Sequence, residues 1–442
     1  MKDRYGYPLS TNSQTARDSY ILGLDRFLAA EVGVEATLQN AAEADPDFAL
    51  PHVVLARYRQ LIGDRRGAML AINAARQCRR IHTDRERRQI EIMGLLISGR
   101  SAEGYRAARE QLTDYPRDVL IAQACLGVLS LIGFSGLPGR EAENLALAEI
   151  LEPHYGDDWW LQGLLGFAQV EVGQFDRAAK SIAKSLAANP RNAHGAHFQS
   201  HLYYETGQTD AGYAFITDWQ STYAKEGQMH CHIAWHIALW ALARGDIDEM
   251  WRIVDSDVDP RGAWGPPLNV MVDLAAVLYR AELAGVAVPQ ARWQVVCDYA
   301  AKHFPNPGLG FADAHAALAY AMAGRSEALE RIISGAKGPV ADLVRSLAEA
   351  FGAIADQNWT RANNMLTQAL SDHARLGGSR AQRDLIEYAS VGVLLRLGRH
   401  DEAHRQIAMH RPKAAIGNAV AGLCWAPDNT ILATGEPTGR PP

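Results

Sequence analysis

Hydrophobic positions return with a helical period along most of the chain. From about residue 14 to residue 410, apolar residues recur every three to four positions, and no stretch alternates convincingly between apolar and polar residues. This pattern is typical of amphipathic helices that pack on one another, whereas strands alternate with a period of two. The sequence therefore predicts an all-α protein.

A phrase of small residues recurs within this helical pattern. Residues 159–192 read WWLQGLLGFAQVEVGQFDRAAKSIAKSLAANPRN. In this phrase Gly166 and Ala178 allow two helices to approach closely, Gly173 turns the chain and Pro190 ends the second helix. Similar motifs recur along the chain, with their turns at Gly63, Gly207, Gly245, Gly324 and Gly398. Within residues 159–192 the separations are those of a tetratricopeptide repeat, and Gly207 follows Gly173 by 34 residues. The interval from Gly207 to Gly245 is 38, so we predict an irregular α-α superhelix.

Irregular stretches divide this array. Gly- and Pro-rich loops are expected near residues 130–140, 255–267 and 302–311, because their composition is too rigid and too irregular for helix. After residue 410 the periodicity is lost, and the chain ends in TGEPTGRPP. We predict one helical-repeat domain over residues 1–410, followed by an irregular tail over residues 411–442.

Composition narrows the cellular setting. A net charge of −6 gives no electrostatic reason to expect nucleic acid or an anionic membrane as a partner. The N-terminus has no signal-peptide core, and no apolar run reaches the roughly 18 residues that a membrane span needs. The five cysteines are scattered and include no CxxC, as expected for reduced thiols. We expect a cytoplasmic protein without a nucleic-acid or membrane partner.

Histidines mark the candidate site. Six of the fifteen histidines fall on two successive predicted helices. His197 and His201 are four residues apart, as are His232 and His236, so each pair projects from one face of its helix. Both pairs lie on the first helix of their repeats, and His315 lies on the first helix of a later one. First helices line the concave surface of such superhelices, so all five side chains are expected to face one groove.

Two kinds of chemistry suit such a cluster. Histidine pairs at this spacing are common metal ligands, which makes His197, His201, His232 and His236 candidate ligands of a divalent metal such as zinc. Without a metal, imidazoles with a pKa near 6.5 exchange protons at neutral pH and can act as acids and bases. The candidate catalytic residues are His197, His201, His232, His236, His315 and Asp313. Carboxylates that would orient or complement the imidazoles are Asp313, Asp384, Glu205 and Glu387.

Five stretches are more specific than the repeat phrase. They are AHFQSH (196–201), CHIAWHIALW (231–240), VDLAAVLYRAELAGV (272–286), DAH (313–315) and GGSRAQRD (377–384). Together they resemble the tetratricopeptide repeat protein 38 family over about residues 40–410. The resemblance implies helical repeats but no settled reaction. It includes the five candidate histidines, while His194 and His230 lie outside the family pattern, and Trp240 replaces its tyrosine.

The remaining candidates would bind a substrate. Arg383 is expected to clamp an anion through two parallel hydrogen bonds. The other candidate binding residues are Gln382, Asp384, Trp235 and Trp240. Our leading hypothesis is a hydrolase that acts on a small molecule, because such clusters readily activate water. The alternatives are a polar structural network and a scaffold that binds a peptide or partner protein in its groove. Homo-oligomerisation stays open.

Overall fold

The computed structural model describes residues 1–80, 82–411 and 419–423. Within these residues the protein is helical throughout, and the only β feature is an isolated bridge between Lys2 and Pro8. The prediction of an all-α superhelix is confirmed. Among the same residues, no helix combines the length and apolar character that crossing a bilayer requires.

Most helices follow one another with short connections. Those of the N-terminal half are α1 (Gln14–Ala29), α2 (Val34–Ala44), α3 (Leu50–Leu61), α4 (Arg65–Gln77), α5 (Asp84–Ile97), α6 (Ser101–Asp114), α7 (Val119–Cys125), α8 (Arg140–Tyr155), α9 (Trp159–Glu171), α10 (Phe175–Ala188) and α11 (Ala193–Glu205). Those of the C-terminal half are α12 (Thr209–Gln220), α13 (His230–Ala243), α14 (Ile247–Ile253), α15 (Pro267–Leu283), α16 (Gln290–His303), α17 (Gly310–Met322), α18 (Ser326–Gly335), α19 (Ala341–Ala355), α20 (Trp359–Leu370), α21 (Arg380–Arg396) and α22 (His400–His410).

Glycines end the first helix of most pairs, whereas Ala30 and Gln357 take the left-handed position after α1 and α19. Gly173, between α9 and α10, has a φ of 79°, a left-handed conformation that costs a residue without a Cβ atom little. Its N–H donates to the carbonyl of Val170, and the N–H of Gln174 donates to that of Gln169. This pair of bonds satisfies carbonyls that would otherwise lack partners at the helix end. The turn between α11 and α12 at Gly207 repeats the arrangement.

The two helices of a pair form an inner and an outer layer. The sequence of α13, HCHIAWHIALWALA, is apolar almost all round, and every residue except Ala243 is buried. By contrast α12 buries only Gly212 and Ile216. A helix that is apolar on all faces must be covered on all faces. First helices therefore line the inside of the superhelix, and they position the histidines there.

The predicted interruptions have different structures. No helix is assigned between the end of α7 and the start of α8, and none between α16 and α17. The expectation that residues 255–267 are non-helical throughout needs correction, because Val254–Val258 continue α14 as a π turn. A 3₁₀ turn at His373–Leu376 precedes α21. The tail predicted for residues 411–442 lies mostly outside the described residues.

Close contact between α9 and α10 depends on Gly166. A Cβ atom added there would lie 2.6 Å from Cγ1 of Ile182 and 3.1 Å from its backbone nitrogen. We expect Gly166→Ala to lower the free energy of unfolding by about 1–3 kcal/mol, because the helices must move apart. Thermal melts of purified protein would measure it. Lys180→Ala, on the exposed face of α10, is the control and should melt like the parent; equal melts for both variants would contradict the prediction.

Candidate functional site

Four histidines from two neighbouring inner helices meet at one point. His197 and His201 come from α11, and His232 and His236 come from α13. One ring nitrogen from each of the four lies within 4.8 Å of the others, and all four side chains are buried. Each pair shares a helix face because its members are four residues apart, and packing of consecutive repeats brings the two faces together. We call this group the four-histidine cluster.

Hydrogen bonds within the cluster do not satisfy its nitrogens. Nε2 of His197 lies 2.8 Å from Nε2 of His201 and 3.1 Å from Nε2 of His232. An imidazole nitrogen carries either one hydrogen or one lone pair, so at most one of these contacts is a well-aligned hydrogen bond. Within the described part of the chain, Nδ1 of His197, Nδ1 of His201 and Nε2 of His236 have no partner.

Burial keeps these imidazoles neutral. It lowers the pKa of His197, His201 and His236 well below the ordinary value, and neighbouring histidines lower it further. The expectation that these side chains exchange protons readily at neutral pH therefore needs correction, because a charged imidazole would lose its hydration in this position. A neutral imidazole is the form that binds a metal ion.

One carboxylate fixes the orientation of the cluster. Oδ2 of Asp273, on α15, lies 2.8 Å from Nδ1 of His232. A hydrogen on Nδ1 donates to this carboxylate, so the lone pair of His232 is on Nε2 and faces the cluster. The Trp235 ring stacks on His232 at a centroid distance of 5.2 Å and an angle of 13°. Sequence reasoning missed Asp273, although a lone carboxylate in the apolar run VDLAAVLYR needs a buried partner.

A cavity of about 820 Å³ adjoins the cluster. His197 and His232 border it, whereas His201 and His236 lie behind them. His194, outside the family pattern, also borders the cavity, and burial lowers its pKa to about 4. Much of the wall is apolar, with contributions from Phe27, Leu96, Trp160, Leu164, Phe167, Phe198 and Phe304. The four-histidine cluster is thus reachable from the cavity at two of its members.

The described wall of the cavity has arginine but no carboxylate. Arg57 is buried there; its Nε donates to Oε1 of Gln123 at 3.1 Å, and its Nη1 donates to Oε1 of Gln60 at 2.8 Å. Burial lowers its pKa to about 10, so it stays charged at neutral pH. No described carboxylate lies within ion-pair distance of it. Sequence analysis missed this residue. The stretch LARYRQL contains two arginines, Arg57 and Arg59, and no local signal predicts that Arg57 is the one in the cavity wall.

Two predicted site residues lie elsewhere. His315 belongs to neither the four-histidine cluster nor the wall of the large cavity, and its Nδ1 lies 2.8 Å from the carbonyl oxygen of Phe311. Asp313 accepts a hydrogen bond of 2.8 Å from the backbone N–H of Gly308. The expectation of five histidines in one groove is therefore corrected to four in one cluster. Asp313 orders the start of α17, and its contacts include none of the four histidines.

The GGSRAQRD segment has a structural role in place of the expected anion site. Arg383 is buried, donates a hydrogen bond to the carbonyl of Gly378 and forms an ion pair with Glu141. Its guanidinium was expected to bind an anionic ligand, but Glu141 already takes that place. Asp384 accepts from Arg280 and from the Tyr204 hydroxyl, so it does not orient an imidazole.

The other expected binding residues have mixed positions. Gln382 borders the cavity, yet its Oε1 accepts from the N–H of Ser379 and caps α21. Trp235 and Trp240 are buried and lie off the cavity wall, and Trp240 packs where Gly212 leaves room. Glu205 and Glu387 both pair with Arg411, so neither complements the cluster.

Comparisons with known proteins give distant structural likenesses. No family model matches the chain. Among solved structures, the chain is similar to the human IFIT1 dimer with PPP-AAAA, at a TM-score of 0.44 and 13% identity, covering 95% of this chain and 94% of that one. The chain is also similar to yeast Tom70, at a TM-score of 0.33 and 13% identity, covering 91% of this chain and 86% of that one. A third similar structure is Naa15/Naa10 bound to HypK-THB, at a TM-score of 0.25 and 13% identity, covering 82% of this chain and 63% of that one. The fold is shown by the paired helices of this chain, which make it a tetratricopeptide-like helical-repeat protein.

The partner expectation is wrong by this comparison. From the sequence we expected a small-molecule substrate and no nucleic-acid partner. The similar structures instead contain PPP-AAAA with IFIT1 and HypK-THB with Naa15/Naa10.

Proposed function

We propose that the chain is a binding protein whose inner cavity holds a segment of a partner protein. The observation that supports this most directly is the 820 Å³ cavity, which borders inner helices from both halves of the chain. Side-chain amides of Gln228 and Asn269 lie between its apolar residues. An extended peptide needs one donor and one acceptor for each residue, and an amide supplies both. Apolar pockets between these amides would take its side chains.

Charge favours a peptide over a nucleic acid. Among the described lining residues, only Arg57 and Arg65 are permanently cationic, and the whole chain carries a net charge of −6. A nucleic-acid strand carries one negative charge for each nucleotide and is normally bound by many cations. A peptide segment with one or two carboxylates matches this cavity better.

Arg57 indicates the chemistry of that peptide. It is a buried cation whose described partners are neutral amides, so it lacks a compensating negative charge. A carboxylate from a partner would supply this charge through a charge-assisted hydrogen bond. We therefore propose an acidic side chain or a C-terminal carboxylate at this position of the bound segment.

Peptide selection tests the proposal. Peptides displayed on phage and selected on the full-length protein should carry a carboxylate at a fixed position. Arg57→Gln should weaken their binding by about 10–100-fold, since a hydrogen bond to a charged group contributes about 1.5–3 kcal/mol. Titration calorimetry with synthetic peptides would measure it. The matched control is Arg66→Gln, an exposed arginine of α4 outside the cavity wall.

Two outcomes would contradict the proposal. Selected peptides that bind Arg57→Gln as tightly as the parent would remove the carboxylate assignment. Oligonucleotides that bind the cavity while no peptide does would replace the partner class altogether.

We also propose membership in the tetratricopeptide repeat protein 38 family. The support is that His197, His201, His232 and His236, which all lie on the family pattern, converge in space. We expect family members that keep these histidines to keep an acidic residue at the position of Asp273, because it orients His232. Aligned sequences with the histidines and an apolar residue there would contradict this. The proposed location is the cytoplasm.

Hydrolysis of the bound segment is a second candidate function. The specific observation is that His197 and His232 belong to the four-histidine cluster and also line the cavity, so a bound peptide would reach them. Mass spectrometry of a selected peptide after incubation would detect cleavage. A true activity should disappear in His197→Gln and persist in Lys180→Ala.

A further inference from the structure

We infer that the four-histidine cluster is a closed binding site for a divalent transition-metal ion of the zinc class, held by His197, His201, His232 and His236. In a tetrahedral zinc site each Zn–N bond is about 2.0–2.1 Å, which separates the ligand nitrogens by about 3.3–3.4 Å. The Nε2 atoms of His201 and His232 lie 2.8 and 3.1 Å from Nε2 of His197. These two contacts would lengthen by a few tenths of an ångström to reach the metal-site distance, while the wider separations, all within 4.8 Å, would shorten toward it.

The unsatisfied nitrogens support this inference. Nε2 of His197 faces two other nitrogens and can match only one of them. Nε2 of His236 has no partner among the described residues, although the side chain is 1% exposed. Burying an unpaired polar atom is costly, so native proteins rarely collect several at one point. A cation between the rings would give a partner to one lone pair of each imidazole.

The surroundings of the cluster have the features of a metal site. Asp273 accepts from Nδ1 of His232, as carboxylates do for many metal-bound imidazoles, and its negative charge offsets part of the charge of a divalent ion. Trp235 stacks on His232 and packs edge-on against His236 at 4.8 Å, which restricts both rings. Four imidazoles without a carboxylate ligand favour zinc, cobalt, nickel or copper over magnesium or calcium.

Metal at this point would clamp two repeats together. The ligands come from α11 and α13, so an ion would fix the spacing of consecutive inner helices beside the cavity. Four protein ligands fill a tetrahedral sphere and leave no position for a catalytic water. The inferred ion is therefore structural. Hydrolysis at a metal would instead need an open coordination position for water.

Metal titration of the full-length protein tests the inference. Protein treated with a chelator should bind one equivalent of Zn²⁺, and Co²⁺ should give the intense visible absorption of a tetrahedral site. Zn²⁺ should also raise the melting temperature, because an ion that binds only the folded state stabilises it, while Mg²⁺ should not. Asp273→Asn should weaken Zn²⁺ binding by about 10–100-fold while keeping the stoichiometry, as expected for a residue that positions a ligand.

Matched variants decide the outcome. His197→Gln/His232→Gln should lose both the cobalt absorption and the Zn²⁺-dependent rise in melting temperature. His194→Gln/His230→Gln changes two nearby histidines outside the cluster and should keep both. The inference is overturned if the parent binds less than one equivalent, if Co²⁺ gives no tetrahedral spectrum, or if both double variants bind alike. These results do not depend on peptide binding, so the inference and the proposed partner can fail separately.

Discussion

Replacing Arg411 by methionine should lower the free energy of unfolding by about 3–5 kcal/mol. Its buried guanidinium donates to Glu205 and Glu387, each at 2.7 Å, and to the carbonyl of Arg380. Asp384 lies 4.0 Å away. Methionine keeps much of the volume but leaves buried carboxylates without this cation, and breaking one partner of a buried ion pair costs about this much.

An exposed ion pair next to α22 is the control. Arg399 pairs with Glu402 at the surface, so Arg399→Met should leave the thermal melt unchanged, since exposed pairs contribute little. Thermal melts and urea midpoints of the parent and both variants would measure the difference. Equal midpoints for Arg411→Met and Arg399→Met would show that the buried pairs add nothing to stability.

The Arg411 effect should depend on pH. Burial alone would raise the pKa of Glu387, but Arg411 and His373 lower it well below its ordinary value of 4.5. A carboxyl whose pKa is lower in the folded state stabilises the fold above the pKa of its unfolded form, and this contribution is lost as the pH falls. The difference between parent and Arg411→Met should therefore be largest near neutral pH and shrink below about pH 4.5.

Local patterns in the sequence were enough to predict the repeat architecture. The 3.6-residue periodicity and the recurring Gly-turn phrase predicted inner and outer helices, because both features act within about 34 residues. The spacing of four within each histidine pair placed both members on one helix face. Packing of consecutive repeats then brings His197 and His201 against His232 and His236.

Contacts between distant repeats could not be predicted in this way. Arg383 was expected to bind an anion, but it pairs with Glu141, which lies 242 positions away in the sequence. That pairing depends on how far the superhelix turns before α21 packs against α11 and α15. No local pattern in the sequence predicts how far the superhelix turns. Asp273 was missed for the same reason, since its partner His232 lies on another repeat, and so was Arg57, which contacts Gln123 across repeats.

Trp235→Ala should also destabilise the fold by about 3–5 kcal/mol, the usual cost of removing a large buried aromatic side chain. Trp235 is fully buried on α13, and its ring packs against the rings of both His232 and His236. Its loss would leave a void beside the cluster and allow both imidazoles to rotate. We therefore expect thermal melts of chelator-treated protein to show early unfolding.

Trp235→Phe separates volume from hydrogen bonding at this position. Phenylalanine keeps an aromatic ring beside His232, and the indole N–H that it lacks has no partner within the described part of the chain. Its loss therefore leaves no described acceptor unpaired, and only the smaller ring volume should matter. We expect the phenylalanine variant to melt much closer to the parent than the alanine variant. If the two variants unfold together, an aromatic ring of smaller volume is not enough at this position, and the prediction is contradicted.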